Sequence, residues 1–104
     1  MDAVNSIFWT RKAIQQRNYV FDYWNKRNRS LNYSKKLNSA IKERIILLKF
    51  NSKLGKKSNF KDTRVISLKH YSILYKIESS KIIITGFWDN RQSDKKLLNF
   101  LMKN

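Results

Sequence analysis

Three strand-like segments joined by very short connections fill most of the carboxyl-terminal half of the chain. Residues 64–68 and 71–77 alternate apolar and polar side chains, and residues 81–88 contain three consecutive isoleucines. Connections this short leave no room for a crossover, so neighbouring segments must pair antiparallel. The sequence therefore predicts a three-stranded antiparallel meander, with residues 81–88 buried on both faces and central in the sheet.

The amino-terminal half supplies one more strand and two helices. Residues 3–9 are rich in strand formers and must join an edge of the sheet. Residues 11–27 form an amphipathic helix capped by Thr10, and Ser30 or Asn32 caps a second helix. The second helix carries the clearest apolar stripe of the chain, and we expect all of its members to pack on the sheet: Leu37, Ile41, Ile45 and Leu48.

These elements define an α+β fold of order β-α-α-β-β-β with a short terminal helix. The second helix ends in a basic tail at Gly55, and residues 51–62 form a lysine-rich loop. A helical hairpin must cover one face of the small, antiparallel-rich sheet, because neither layer can bury its apolar side alone. We expect one domain over residues 1–104, which buries roughly 65% of its unfolded surface. The terminal helix covers residues 94–102, with an apolar side formed by Leu97, Leu98 and Leu101.

The composition argues against several classes of protein. The chain has no cysteine, which excludes disulfides and thiolate metal sites, and it has one histidine and seven acidic residues. We therefore expect no metal and no cofactor. No apolar run approaches the roughly 20 residues that a membrane-spanning helix needs. The amino terminus lacks the basic-then-apolar layout of a secretion signal, so we expect a cytoplasmic protein without membrane contacts.

The net charge of +16, from 23 basic and 7 acidic residues, points to a negatively charged partner. Self-repulsion of this size costs stability, and a nucleic acid or an acidic protein would offset it. A low-GC genome, which favours lysine and asparagine, is an alternative origin for many of the lysines. That bias does not account for the scarcity of Asp and Glu.

Several motifs follow one another in an order that resembles a known superfamily. The frame from Tyr23 to Asn28, followed by Tyr33 and Leu37, looks like the helical hairpin of ParE-like proteins. Residues 63–66 and 71–77 resemble an arginine strand and a tyrosine strand. Residues 87–92, Phe-Trp-Asp-Asn-Arg-Gln, look like the closing motif. Over nearly its whole length the chain thus resembles the RelE/ParE superfamily of toxins from bacterial toxin–antitoxin modules.

This resemblance implies an acidic antitoxin as partner and leaves three functions open. The RelE-like branch cuts messenger RNA on the ribosome, whereas the ParE-like branch poisons DNA gyrase. A ribosome-dependent ribonuclease and an inhibitor that binds gyrase without chemistry are therefore both possible. A degenerate toxin, retained as an antitoxin-binding module, is the third reading.

The RelE-like pattern identifies candidate catalytic residues and two departures from it. Cleavage of RNA needs a base, an acid and cations that hold the pentacoordinate phosphate. Arg91 matches the arginine after the last strand, but Ser72 stands where a sheet arginine is expected, and Leu97 where a tyrosine is expected. Arg64 and His70 are further catalytic candidates.

Arg64 begins one strand and Arg91 follows the end of another, and we expect their guanidiniums to converge at one end of the sheet around a phosphate or an acidic surface. The competing expectation is that Asp62 or Asp89 pairs with each arginine as an ordinary surface ion pair. Polar residues of the loops and the last strand end are the candidates for contact with the target: Lys56, Lys57, Lys61, Lys69, Asn90 and Gln92.

Overall fold

A computed structural model of the chain describes residues 6–92 and Lys96. It confirms the α+β class and the order of the elements. In the described part of the chain, no helix is long and apolar enough to cross a membrane. The expected helix over 94–102, with its three leucines, lies outside the described residues except for Lys96. The elements are β1 (Ser6–Trp9), α1 (Arg11–Asn28), α2 (Asn32–Phe50), β2 (Lys56–Lys57), β3 (Arg64–Leu68), β4 (Tyr71–Glu78) and β5 (Lys81–Asp89).

Within the described residues, the sheet contains five strands in the order β1-β5-β4-β3-β2. The antiparallel meander of β3, β4 and β5 is confirmed, and β1 pairs with β5 in parallel at one edge. The other edge is β2, two exposed lysines within the segment that we expected to be a loop, and it pairs antiparallel with β3. The sequence does not indicate this strand, because both of its side chains are exposed and carry no apolar alternation.

The middle strand of the sheet is β4, and the isoleucine-rich β5 lies in the interior of the sheet as expected, between β1 and β4. All residues from Tyr71 to Tyr75 are buried, and β4 has β3 on one side and β5 on the other. Within β5, Ile82 and Ile84 are buried in the core, whereas Ile83 is half-buried. Successive side chains of a strand point to opposite faces, so the isoleucine between two core residues lies on the face away from the core.

The two helices begin in different ways. The hydroxyl of Thr10 accepts a hydrogen bond of 3.1 Å from the amide of Ala13, which confirms Thr10 as the cap of α1. Leu31 holds the cap position of α2 and makes no side-chain capping bond, so the expected Ser30 or Asn32 cap was wrong. The Ser30 hydroxyl nevertheless accepts from the amide of Asn32 at 3.1 Å. Arg29 ends α1 in the left-handed conformation, at φ 48°.

The apolar stripe of α2 packs into the core, but its members are not equally buried. Leu37, Ile41 and Leu48 are at most 2% exposed, whereas Ile45 is half-buried. All four therefore pack against the core as expected, although Ile45 is only partly buried there. The core joins this stripe to Ala13 of α1 and to the inner face of the sheet, which contributes Ile66, Leu68, Tyr71, Ile73, Tyr75, Ile82, Ile84 and Phe87.

Tyr75 ties the segment after α2 to the centre of the sheet. Its buried hydroxyl donates to the carbonyl of Ser52 and accepts from the amide of Gly55, both at 2.8 Å. A Cβ at Gly55 would lie 2.6 Å from the Tyr75 hydroxyl, so no side chain fits there without a shift of the phenol or the loop. Burial raises the pKa of the Tyr75 hydroxyl, which therefore stays protonated as a donor.

Two adjacent leucines of α2 test its packing. Leu48→Ala should lower the free energy of unfolding by about 2–5 kcal/mol, because it leaves a cavity at a fully buried site. Leu47→Ala, at a position that is 47% exposed, should change it by less than about 0.5 kcal/mol. Ile45→Ala should fall between them. Urea denaturation measures all three, and equal losses at 47 and 48 would show that the helix face is misassigned.

The hydroxyl of Tyr75 provides a second test. Tyr75→Phe leaves the amide of Gly55 and the carbonyl of Ser52 without this partner, which should cost about 1–3 kcal/mol of stability. Tyr19→Phe removes a hydroxyl from a tyrosine that is 72% exposed and serves as the control. Thermal denaturation of both variants decides the point. A Tyr75→Phe protein as stable as the control would mean that the loop does not depend on this hydroxyl.

Candidate functional site

Arg64 and Arg91 lie at opposite ends of the sheet, and the expected convergence was wrong. Arg64 pairs with Tyr75 in β4, whereas Asp89 pairs with Tyr71. Both β3 and β5 are antiparallel to β4, so they run in the same direction as each other. The start of β3 and the end of β5 must therefore lie at opposite ends of the meander.

Arg64 is held by backbone carbonyls of the segment after α2. Its Nη1 donates to the carbonyl of Gly55 at 2.8 Å and to that of Lys53 at 3.3 Å. Together with Tyr75 it thus fixes the turn that leads into the two lysines of β2. The expected partner, Asp62, is exposed and has a left-handed backbone, at φ 50°. A catalytic part for Arg64 stays a prediction.

Arg91 forms a bidentate ion pair with Asp89, as the competing expectation proposed. Its Nε and Nη2 donate to the two carboxylate oxygens at 2.9 and 2.8 Å, and its backbone amide donates to Oδ1 at 2.9 Å. These hydrogen bonds lower the pKa of Asp89 below its usual value, and the same carboxylate raises the pKa of Arg91. About half of the arginine side chain remains exposed, so the pair is accessible at the end of β5.

A groove of about 730 Å³ lies between α1 and the carboxyl end of β5, and the Asp89–Arg91 pair forms part of its wall. It combines aromatic faces, amide groups and cations. The described residues of α1 that line it are Lys12, Gln15, Gln16, Tyr19, Val20, Tyr23, Trp24 and Arg27. Those from the sheet and the residues after it are Tyr71, Phe87, Trp88, Asp89, Arg91 and Gln92.

Hydrogen bonds between α1 and the sheet fix the shape of the groove. The indole of Trp24 donates to the Tyr71 hydroxyl at 2.9 Å, and the side-chain oxygen of Gln16 accepts from the amide of Phe87 at 2.9 Å. The Tyr71 ring stacks on Phe87 at 5.1 Å between centroids. Tyr33 of α2 packs on Trp24, and burial, more than its neighbours, raises the pKa of its hydroxyl.

The remaining site candidates divide between the two ends of the sheet. Lys56 and Lys57 form β2 and Lys61 follows in the loop, so all three lie near the Arg64 end. The second group consists of Lys69, His70, Asn90 and Gln92. Gln92 lines the groove, and the other three lie within two residues of Tyr71 or Arg91, which also line it. Here the amide of Asn90 donates to the carbonyl of the exposed His70 at 2.8 Å, and the Ser72 hydroxyl donates to the Asn90 side chain at 2.7 Å.

The groove presents exposed aromatic rings and cations beside a carboxylate that is already paired. Among the residues that the structure describes, no three His, Cys, Asp or Glu side chains are grouped as a metal site would require. The carboxylate in the groove wall, Asp89, is already paired with Arg91. Tyr19 and Tyr23, which are 72% and 46% exposed, present aromatic surface beside it. Amphipathic aromatic rings with nearby cations are typical of protein-binding surfaces.

Comparison with known proteins agrees with this fold. A family described as "ParE toxin of type II toxin-antitoxin system, parDE" matches residues 7–93. Among solved structures, the chain is similar to one titled "Chromosomal ParDE TA system from P. aeruginosa", with 18% sequence identity and a TM-score of 0.72. That similarity covers 86% of this chain and 98% of the other. No curated protein sequence matches.

The Asp89–Arg91 pair predicts a specific acid dependence of stability. The pKa of the Asp89 carboxyl is lower in the folded state than in the unfolded state. The stability that the ionised carboxylate contributes is therefore fully present above its unfolded pKa of about 3.9, and it is lost as the pH falls through its lower folded-state pKa. The stability difference between the parent and Asp89→Asn should therefore shrink below about pH 4. Urea denaturation between pH 6 and pH 2 measures it.

Asp22→Asn is the matched control, because it removes an exposed carboxylate from α1. A parent-to-variant difference that stays constant across the acid range for Asp89→Asn would mean that the ion pair does not hold the carboxylate in solution.

Proposed function

The chain belongs to the ParE toxin family of type II toxin–antitoxin systems, and from this premise we propose that it arrests growth by binding DNA gyrase, without chemistry of its own. The proposal includes neutralisation by an acidic antitoxin. Since gyrase acts on the bacterial chromosome, it also places the protein in the cytoplasm.

The observation that carries the proposal is the separation of Arg64 and Arg91 by the register of the meander. Stabilising a pentacoordinate phosphate requires cations that converge on one point. Here one arginine is bound by loop carbonyls and the other by a carboxylate. His70 is exposed at the turn between β3 and β4. This arrangement supports a binding protein over a ribonuclease that uses these three residues.

The charge of the chain and the groove support an acidic antitoxin as the neutralising partner. The net charge is +16, and among the described residues that line the groove Lys12, Arg27 and Arg91 stand against the single carboxylate of Asp89. Its aromatic side chains offer apolar anchoring surface between these cations. An acidic segment of the antitoxin that occupies the groove would associate quickly and in a salt-sensitive manner.

The test is to add the purified protein to a gyrase supercoiling reaction and, separately, to a cell-free translation reaction with primer extension on the message. We expect the protein to inhibit supercoiling and to leave the message intact. When the antitoxin is added before the protein, supercoiling should proceed without inhibition. Discrete cleavage sites in the message, with gyrase unaffected, would establish the ribonuclease instead. Antitoxin binding with neither effect would identify a degenerate toxin.

A further inference from the structure

The last turn of α2 presents a cluster of large apolar side chains to solvent. Phe50 is 80% exposed, Ile46 is 53% exposed and Leu47 is 47% exposed. Leu54, in the turn directly after the helix, is 45% exposed. Ile46 and Leu47 lie four and three residues before Phe50, so the three are neighbours on the helix surface, and Leu54 follows four residues later in the chain. Single exposed apolar residues are normal on a protein surface, but a group of this kind is typical of an interaction site. We refer to these four residues as the α2-end patch.

The α2-end patch lies on the side of the helix that faces away from the core. Phe50 follows Ile41 by nine residues, about two and a half turns, so the two lie on opposite sides of the helix. Ile41 is 1% exposed and belongs to the core. On the outer side, the earlier turns of α2 carry polar residues such as Lys36 and Ser39, and the side becomes apolar only at the last turn.

Exposed lysines border the patch, and their positive charge favours a partner that carries carboxylates. Lys42 and Lys49 lie four residues before and three residues after Ile46 on α2, and Lys53 follows the helix; all three are exposed. Glu43 is the one carboxylate on this helix. A second copy of the chain would bring lysines against lysines in a protein of net charge +16, which opposes self-association.

The patch is separate from the groove. The segment that carries Leu54 is tied to Tyr75 through Gly55, whereas the groove is built around Tyr71. Three residues of β4 lie between the two tyrosines, which places them about 13 Å apart along the strand. A partner in the groove therefore leaves the α2-end patch available to a different one.

We propose that the α2-end patch is the surface by which the toxin contacts its protein target, and that the target presents an apolar strip bordered by carboxylates. This inference rests on the proposed function in one respect, that growth arrest results from binding to a protein. It does not depend on that protein being gyrase. The apolar side chains anchor the contact, and the three lysines orient it.

The experiment compares the double variant Leu47→Ser/Phe50→Ser with Leu31→Ser, which removes an apolar side chain that is 55% exposed just before α2. Growth arrest in cells, inhibition of gyrase supercoiling, antitoxin affinity, thermal stability and mass in solution are measured for the parent and both variants. Because the altered residues are exposed, the double variant should fold with the parent's thermal stability. Lys49→Glu is an additional variant that reverses one border charge.

We expect the double variant to lose about tenfold or more in toxicity and target inhibition, as when an aromatic anchor is removed, while its antitoxin affinity stays within about twofold. Lys49→Glu should weaken both activities in the same direction, and Leu31→Ser should match the parent. If the parent arrests growth without inhibiting gyrase, the proposed target is wrong, and the growth assay still decides on the patch.

Three results would overturn the inference. The first is a double variant as toxic as the parent. The second is a loss of antitoxin affinity with toxicity retained, which would assign the patch to the antitoxin. The third is a parent dimer that the double variant abolishes, which would assign it to a second copy of the chain.

Discussion

The buried central strand β4 is the element on which the rest of the structure depends. It separates β3 from β5 and is buried continuously from Tyr71 to Tyr75. Each of these tyrosines also has a hydroxyl that needs a partner when buried. The Tyr75 hydroxyl binds the loop after α2, and the Tyr71 hydroxyl accepts from Trp24 of α1. The strand thus holds the helical layer at one end and the lysine-rich loop at the other.

The direction of the neighbouring strands then decides where the chemistry-bearing residues lie. Because β3 and β5 run in the same direction on either side of β4, one basic group of residues gathers near Arg64 and the other near Arg91. Neither arginine is free to converge on the other. Each guanidinium instead donates hydrogen bonds at its own end of the sheet, Arg64 to loop carbonyls and Arg91 to the carboxylate of Asp89. A scaffold of this kind suits the recognition of macromolecules over an extended surface.

The candidate site was predictable in part. The polar run after β5 was correctly placed at a strand end, and the ion pair of Arg91 with Asp89 was one of two expectations. The expected convergence of the two arginines was wrong because the first and third strands of a meander begin at the same end of the sheet. An arginine at the start of one and an arginine after the end of the other therefore lie at opposite ends. The groove was not anticipated, although Tyr19 and Tyr23 on α1 were a possible signal. Recognising it required knowing that α1 lies along the carboxyl end of β5.

The sequence by itself determined the order of the elements, the antiparallel meander and the apolar stripe of α2, because short connections and the spacing of apolar residues act locally along the chain. Tertiary structure alone decided the features that join distant residues. It made β4 central, added β2 at the edge and left Ile45 half-buried. It also bound Gly55 to Tyr75. Such contacts depend on how the layers are placed against each other, and no local pattern encodes that placement.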